Sequence, residues 1–166
     1  TLTLPPRNFP WRIRGNPLAW YSTKKDLLSQ NYDTIVATSM VDLASLCGLF
    51  PNLASATKIV YFHENQFAYP VSDKQKQRPE PKMVNLYASM TADKVVFNSE
   101  YNFKSYVAGV GDFISGMPDF NKLEFIDDIS EKSRTLPVPI APKIQCSQPR
   151  IPRSILWNHR WEYDKN

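Results

Sequence analysis

Lys58-Ile59-Val60-Tyr61-Phe62-His63-Glu64-Asn65-Gln66-Phe67-Ala68-Tyr69-Pro70 decides how this chain is read. The segment opens with Ile59, Val60, Tyr61 and Phe62, an apolar β-branched and aromatic run of the kind that forms a buried strand. It then changes abruptly to four polar residues, His63 through Gln66. In an open α/β sheet, side chains just past the carboxyl end of a strand face the crevice where ligands bind. A histidine, a carboxylate and two amides delivered there together suit the orientation of a polar substrate. The competing reading has His63 and Asn65 tying down the following loop through backbone hydrogen bonds.

Working outward, strand and helix patterns alternate. Asp33-Thr34-Ile35-Val36-Ala37-Thr38 reads as a strand, and Val41 through Phe50 as a short apolar helix stopped by Pro51. Beyond Pro70, the segment 71–81 has no apolar period and reads as a solvated loop. Met83, Leu86, Tyr87 and Met90 follow at helical spacing, a stripe expected in the core. Lys94-Val95-Val96-Phe97 is a short strand ending in Asn98-Ser99, a second polar strand end aimed at the same crevice, with Ser99 also suited to cap the next helix. Phe103, Tyr106, Val107, Val110 and Ile114 give that helix one face. A helix over 120–131 and a last strand from Arg134 complete the series. Crossovers of this length imply a Rossmann-like α/β domain, a parallel sheet with helices on both faces. The fingerprint Gly-x-Gly-x-x-Gly is absent from the sequence, which argues against a dehydrogenase.

Upstream, Thr1-Leu2-Thr3-Leu4 alternates like a strand, and Asn16-Pro17 reads as an N-cap with proline at the first helical position, followed by Leu18, Tyr21, Lys25 and Leu28 on one face. Between them Arg7, Trp11, Arg12 and Arg14 interleave cations with an aromatic, a pattern that grips phosphates and stacks on unpaired bases. The alternative is a loop that packs Phe9 and Trp11 on the domain and leaves the arginines in water. Downstream, five prolines between Leu136 and Pro152 mark a linker, and Ser154-Ile155-Leu156-Trp157 starts another strand. The domain organisation expected is a Rossmann-like domain over 1–135 lacking its first strand, a linker over 136–152, and the opening strand of a second domain over 153–166.

Composition bounds the function. The 166 residues allow one substantial core, with a net charge of +4 that permits a phosphate-bearing partner without requiring one. The two cysteines, Cys47 and Cys146, form no Cys-x-x-Cys pair, so no disulfide framework is expected and a reducing compartment is the default. No apolar run approaches the length of a membrane span. The only histidines, His63 and His159, are far apart, so no metal site is expected.

The run Tyr61 through Pro70 resembles the signature of the tRNA-queuosine mannosyltransferase family, a branch of the retaining GT-B glycosyltransferases. A second match lies in Ile155-Leu156-Trp157-Asn158-His159-Arg160-Trp161-Glu162-Tyr163-Asp164-Lys165-Asn166, with Met83-Val84-Asn85-Leu86-Tyr87 and Phe97-Asn98-Ser99 between. The resemblance implies a cytoplasmic enzyme that moves mannose from GDP-mannose to queuosine in tRNA, with no cofactor beyond its nucleotide-sugar donor and no membrane partner. It implies catalytic roles for His63, at the sugar ring, and Glu64; substrate contacts at Asn65, Gln66, Asn98 and Ser99; and donor-diphosphate contacts at Arg160 and Lys165. It also implies that the chain is the N-terminal half of a GT-B enzyme, preceded by a further strand and a glycine-rich loop. Other acceptors, a lipid or small molecule, and a noncatalytic RNA-binding module are the competing functions.

Overall fold

The computed structural model describes residues 1–5, 9–70, 78–118, 124–139 and 153. They fall into two units, Thr1–Tyr69 with Arg78–Pro137, and Pro70–Gln77 with Val138–Asn166. Of the second unit only Pro70, Val138, Pro139 and Arg153 are described. The expected helix start at 120–123, the strand at 154–157 and nearly all of the 136–152 linker lie outside the described residues, as does the loop core 71–77.

The first unit is built on four parallel strands, β1 (Thr34–Thr38), β2 (Thr57–Phe62), β3 (Lys94–Phe97) and β4 (Ser133–Thr135), paired in sequence order. Register sets Val36 beside Ile59, Val60 beside Val95, and Phe97 beside Thr135. The helices α1 (Phe9–Thr23) and α2 (Lys25–Leu28) precede β1. The crossovers contain α3 (Leu43–Leu49) and α4 (Pro51–Ala54), then α5 (Pro79–Thr91), then α6 (Glu100–Ser115) and α7 (Glu124–Glu131). This is the α/β Rossmann-like arrangement expected.

The described helices pack over the sheet face that carries the buried side chains. Right-handed crossovers between adjacent strands put successive helices on the same side. Burial agrees: Ala37, Val60, Phe62, Val95 and Phe97 are buried, whereas their alternates Ile59, Tyr61 and Val96 are half-buried and Val36 is 70% exposed. The core under the helices is aromatic at its centre. Phe62 stacks on Phe97 with ring centroids 4.8 Å apart, and Tyr106 from α6 meets both edge-on or tilted. Burial pushes the Tyr106 hydroxyl's pKa up, and its partner is Ser89 of α5.

Four local expectations change. Thr1–Leu4 forms no strand; Leu2 and Leu4 instead pack against the core, and the Leu4 carbonyl accepts from Arg12 Nη2 at 3.0 Å. Asn16-Pro17 lies inside α1 rather than at its start. Proline there removes the N–H that would meet the Ile13 carbonyl, and Asn16 Nδ2 supplies the missing donor at 3.1 Å while also reaching the Arg12 and Met40 carbonyls. The buried face of α1 is consequently Ile13, Asn16 and Trp20, with Leu18 67% exposed. On α5, Leu86 of the expected core stripe is buried and Met83 half-buried, whereas Tyr87 and Met90 are exposed; Val84, Asn85, Ala88 and Ser89 complete the buried side.

At the amino ends of the strands, Lys58 is buried and its Nζ meets the Ala54 and Ala56 carbonyls and the Asp93 carboxylate at 2.9 Å. The Lys58 backbone N–H and then its ammonium hold the Asp93 carboxyl below its ordinary range. A depressed folded-state pKa gives stability that is present above the unfolded value, near 4, and is lost as pH falls through the folded one. Asp93 is half exposed, so the pair is worth about 1 kcal/mol or less. Asp93→Asn is expected to lower the melting temperature at pH 7 and to flatten its fall below about pH 4; melting curves across that range measure both effects.

Candidate active site

Parallel strands end with backbone carbonyls that have no further strand to pair with, and β2 and β3 end side by side. Here those groups are met by amide side chains. The Phe62 carbonyl accepts from the Asn98 N–H at 3.1 Å and from Asn102 Nδ2 at 3.0 Å. The His63 carbonyl accepts from Asn98 Nδ2 at 2.7 Å, and the Glu64 carbonyl from Ser39 Oγ at 3.1 Å. On the donor side, the Gln66 N–H meets Asn85 Oδ1 at 2.8 Å, and the N–H groups of Phe67 and Ala68 both meet Asn65 Oδ1.

These side chains also hold one another. Asn102 Nδ2 donates to Asn98 Oδ1 at 2.8 Å, and Asn102 Oδ1 accepts from Asn65 Nδ2 at 2.8 Å. Asn65 Nδ2 further reaches Ser105 Oγ, and Asn85 Nδ2 donates to the Ser39 carbonyl at 2.7 Å. Ser99 caps α6 by accepting from the Asn102 N–H. Asn65, Asn85 and Asn102 are each more than nine-tenths buried. The net is uncharged and satisfies buried polar groups without the desolvation cost of ions.

The result is a fixed loop whose two ends of interest point outward. His63 and Glu64 are exposed, and the His63 ring packs edge-on against Tyr61 at 4.7 Å. Tyr61 is itself fixed by donating to the Leu136 carbonyl at 2.8 Å. Gln66 is half-buried with Nε2 3.9 Å from Met40 Sδ, and Asn98 and Ser99 are half-buried beside His63. His63, Glu64, Asn98 and Ser99 are thus brought to one strand-end surface, whereas Asn65 turns inward and holds the loop. A polar substrate docking there meets an imidazole, a carboxylate and amide edges on a backbone that has little freedom to move. Among the described residues, no group of three His, Cys, Asp or Glu side chains is placed to hold a metal ion.

Of the basic-aromatic residues, Arg7 lies outside the described residues, and Trp11, Arg12 and Arg14 lie on α1. Trp11 is 80% exposed. Arg14 pairs with buried Asp42 at 2.7 Å, where Asp42 also caps α3 through the Ser45 N–H. Arg160 and Lys165 lie outside the described residues. Asn85 and Asn102 carry the loop and were not singled out by sequence. The signal available was an amide set within apolar neighbours, Val84 and Leu86 for Asn85, and an Asn98/Asn102 pair one helical turn apart.

The family model described as tRNA-queuosine alpha-mannosyltransferase N-terminal matches residues 1–140. The tRNA-queuosine alpha-mannosyltransferase of Drosophila melanogaster is 31% identical over 178 residues, covering 99% of this chain and 46% of that protein. The chain therefore spans about half the length of this curated relative. No solved structure matches.

Two substitutions test the loop's construction. Asn102→Ala removes donors and an acceptor from buried partners and is expected to cost about 2–4 kcal/mol, with amide exchange at Phe67 and Ala68 accelerated beyond the global loss of stability. A Cβ at Gly109 of α6 would overlap the Phe67 side chain. Gly109→Ala should therefore destabilise by about 1–3 kcal/mol, despite the better helix propensity of alanine; denaturant unfolding measures the sign.

Proposed function

The chain belongs to the tRNA-queuosine alpha-mannosyltransferase family, and from that membership we propose that it forms the acceptor-side part of a retaining GT-B enzyme transferring mannose from GDP-mannose to queuosine in tRNA. The observation that supports this reading is the rigid strand-end loop, which presents His63 and Glu64 to solvent while a neutral amide net holds their backbone. Positioning of reacting groups is where much of such a rate enhancement originates, since misplacement by about 1 Å costs on the order of a hundredfold.

In this proposal, residues 1–135 form the acceptor-side domain, 136–152 link it onward, and 153–166 open the donor-binding domain. His63 faces the transferred sugar, and Glu64, Gln66, Asn98 and Ser99 meet hydroxyl groups of donor or acceptor. Arg160 and Lys165 lie on the departing diphosphate, where a guanidinium and an ammonium stabilise the charge that grows in the transition state. The chemistry then needs no bound metal and no cofactor besides the nucleotide sugar. A tRNA substrate accords with a cytoplasmic location. Among the described residues, no helix is long and apolar enough to cross a membrane.

The full-length protein incubated with GDP-mannose and queuosine-modified tRNA is expected to leave a hexose on the nucleoside, read by mass spectrometry of the digested RNA. His63→Ala should lower kcat on the order of a hundredfold while shifting stability by no more than about 0.5 kcal/mol, as an exposed side chain allows. Unaltered turnover in a folded variant would reduce His63 to a surface residue, and no hexose with any queuosine-bearing tRNA would overturn the proposed acceptor.

A further inference from the structure

The asparagine net fixes where His63 is but not which way its imidazole points. Asn98 holds the His63 backbone carbonyl, and among the described residues neither ring nitrogen is hydrogen-bonded. The ring rests instead edge-on against Tyr61, with centroids 4.7 Å apart. Rotation about the bond that joins a histidine ring to its stem is broad. On an exposed side chain, ring direction is therefore set by the surface the ring packs on.

Tyr61 is held as such a surface. It lies in β2 beside Val96 of β3, whose other neighbour is Arg134 of β4. Its hydroxyl reaches past β3 and donates to the Leu136 carbonyl at 2.8 Å, just beyond the end of β4. The ring is thus anchored at both ends, by its backbone on β2 and by its hydroxyl on Leu136, a restraint that phenylalanine would lack. Leu136 is fixed in turn. Its N–H donates to the Phe97 carbonyl at 2.8 Å, and Pro137 after it restricts its backbone to extended conformations. Pro137 is also the last residue of the first unit. We propose that Tyr61 is a positioning residue: pinned on Leu136, its ring sets the orientation of the His63 imidazole, which therefore depends on the segment 136–137 by which the chain leaves the sheet. The proposal rests on the reading that His63 faces the transferred sugar, and adds to it a restraint separate from the asparagine net.

The test is a double-mutant cycle in the full-length protein, read by hexose transfer from GDP-mannose to queuosine-modified tRNA, with NMR of the His63 ring protons alongside. Tyr61→Phe keeps the ring and removes the hydroxyl. It is expected to lower kcat roughly five- to twentyfold, less than the hundredfold that misplacement by about 1 Å costs. KM for both substrates should stay within about twofold, and the melting temperature within about 2 °C. In a His63→Ala background the same change should cost nothing further, because the group it orients is gone. The His63 ring protons, displaced by the Tyr61 ring in the wild type, should move toward the values of a freely exposed histidine. Pro137→Ala frees the Leu136 backbone without touching either ring and should act in the same direction; it carries the test if Tyr61→Phe fails to fold. Wild-type kcat in Tyr61→Phe where His63→Ala is impaired, equal losses in both backgrounds, or unmoved His63 ring protons would overturn the positioning role and leave His63 in its own. Wild-type turnover in His63→Ala would overturn both. If the wild-type protein transfers no hexose, the proposed acceptor falls, and the ring protons still decide whether Tyr61 orients His63.

Discussion

The Asn102 side chain is the point on which the site depends. Its Nδ2 meets the Phe62 carbonyl where β2 ends, its Oδ1 holds Asn65, and its own N–H is capped by Ser99 where β3 gives way to α6. One amide therefore joins two strand ends, a helix start and a loop. Carbonyls and N–H groups released at the end of a parallel sheet would otherwise require water or a partner strand. Here they are closed by neighbours from inside the domain, and that leaves His63 and Glu64 with their side chains directed outward.

The choice of asparagine over a charged residue has a physical basis. Asparagine both donates and accepts, so a chain of amides can pass hydrogen bonds along without a buried charge. Elsewhere the protein does bury charges, at Asp42 with Arg14 and at Lys58 with Asp93, and each of those carries an ionic partner. Those pairs lie at the junction of α1 with α3 and at the amino ends of the strands. The backbone of the loop that presents the candidate reacting groups is held by the neutral contacts of the asparagine net.

Much of the fold was legible because strands are short, apolar and punctuated. Thr34–Thr38, Thr57–Phe62 and Lys94–Phe97 coincide closely with the β-branched runs, and Ser99 caps its helix as its chemistry requires, whereas Pro51, read only as a helix stop, also opens α4. The errors occur where a side chain compensates for a broken local rule. Pro17 reads as a helix start because proline lacks an N–H, yet Asn16 supplies the donor and the helix runs through. Tyr87 and Met90 read as core with Leu86 because all three are large and apolar, yet only Leu86 is buried, and Ala88 and Ser89 share that side. Within the candidate site, His63 and Glu64 were visible as polar residues after an apolar strand. Asn85 and Asn102 were hidden because the strand-end and loop groups they hold lie 19 or more residues away, which periodicity does not register.

The order β1-β2-β3-β4 is also an order of assembly. Each strand pairs with the one made before it, so none has to insert between two already joined. During synthesis the growing sheet always offers its newest edge to the next strand, and each helix closes over a surface already laid down. Asn102 follows every loop residue it holds, so the candidate site can tighten only once α6 has been made over β2 and β3.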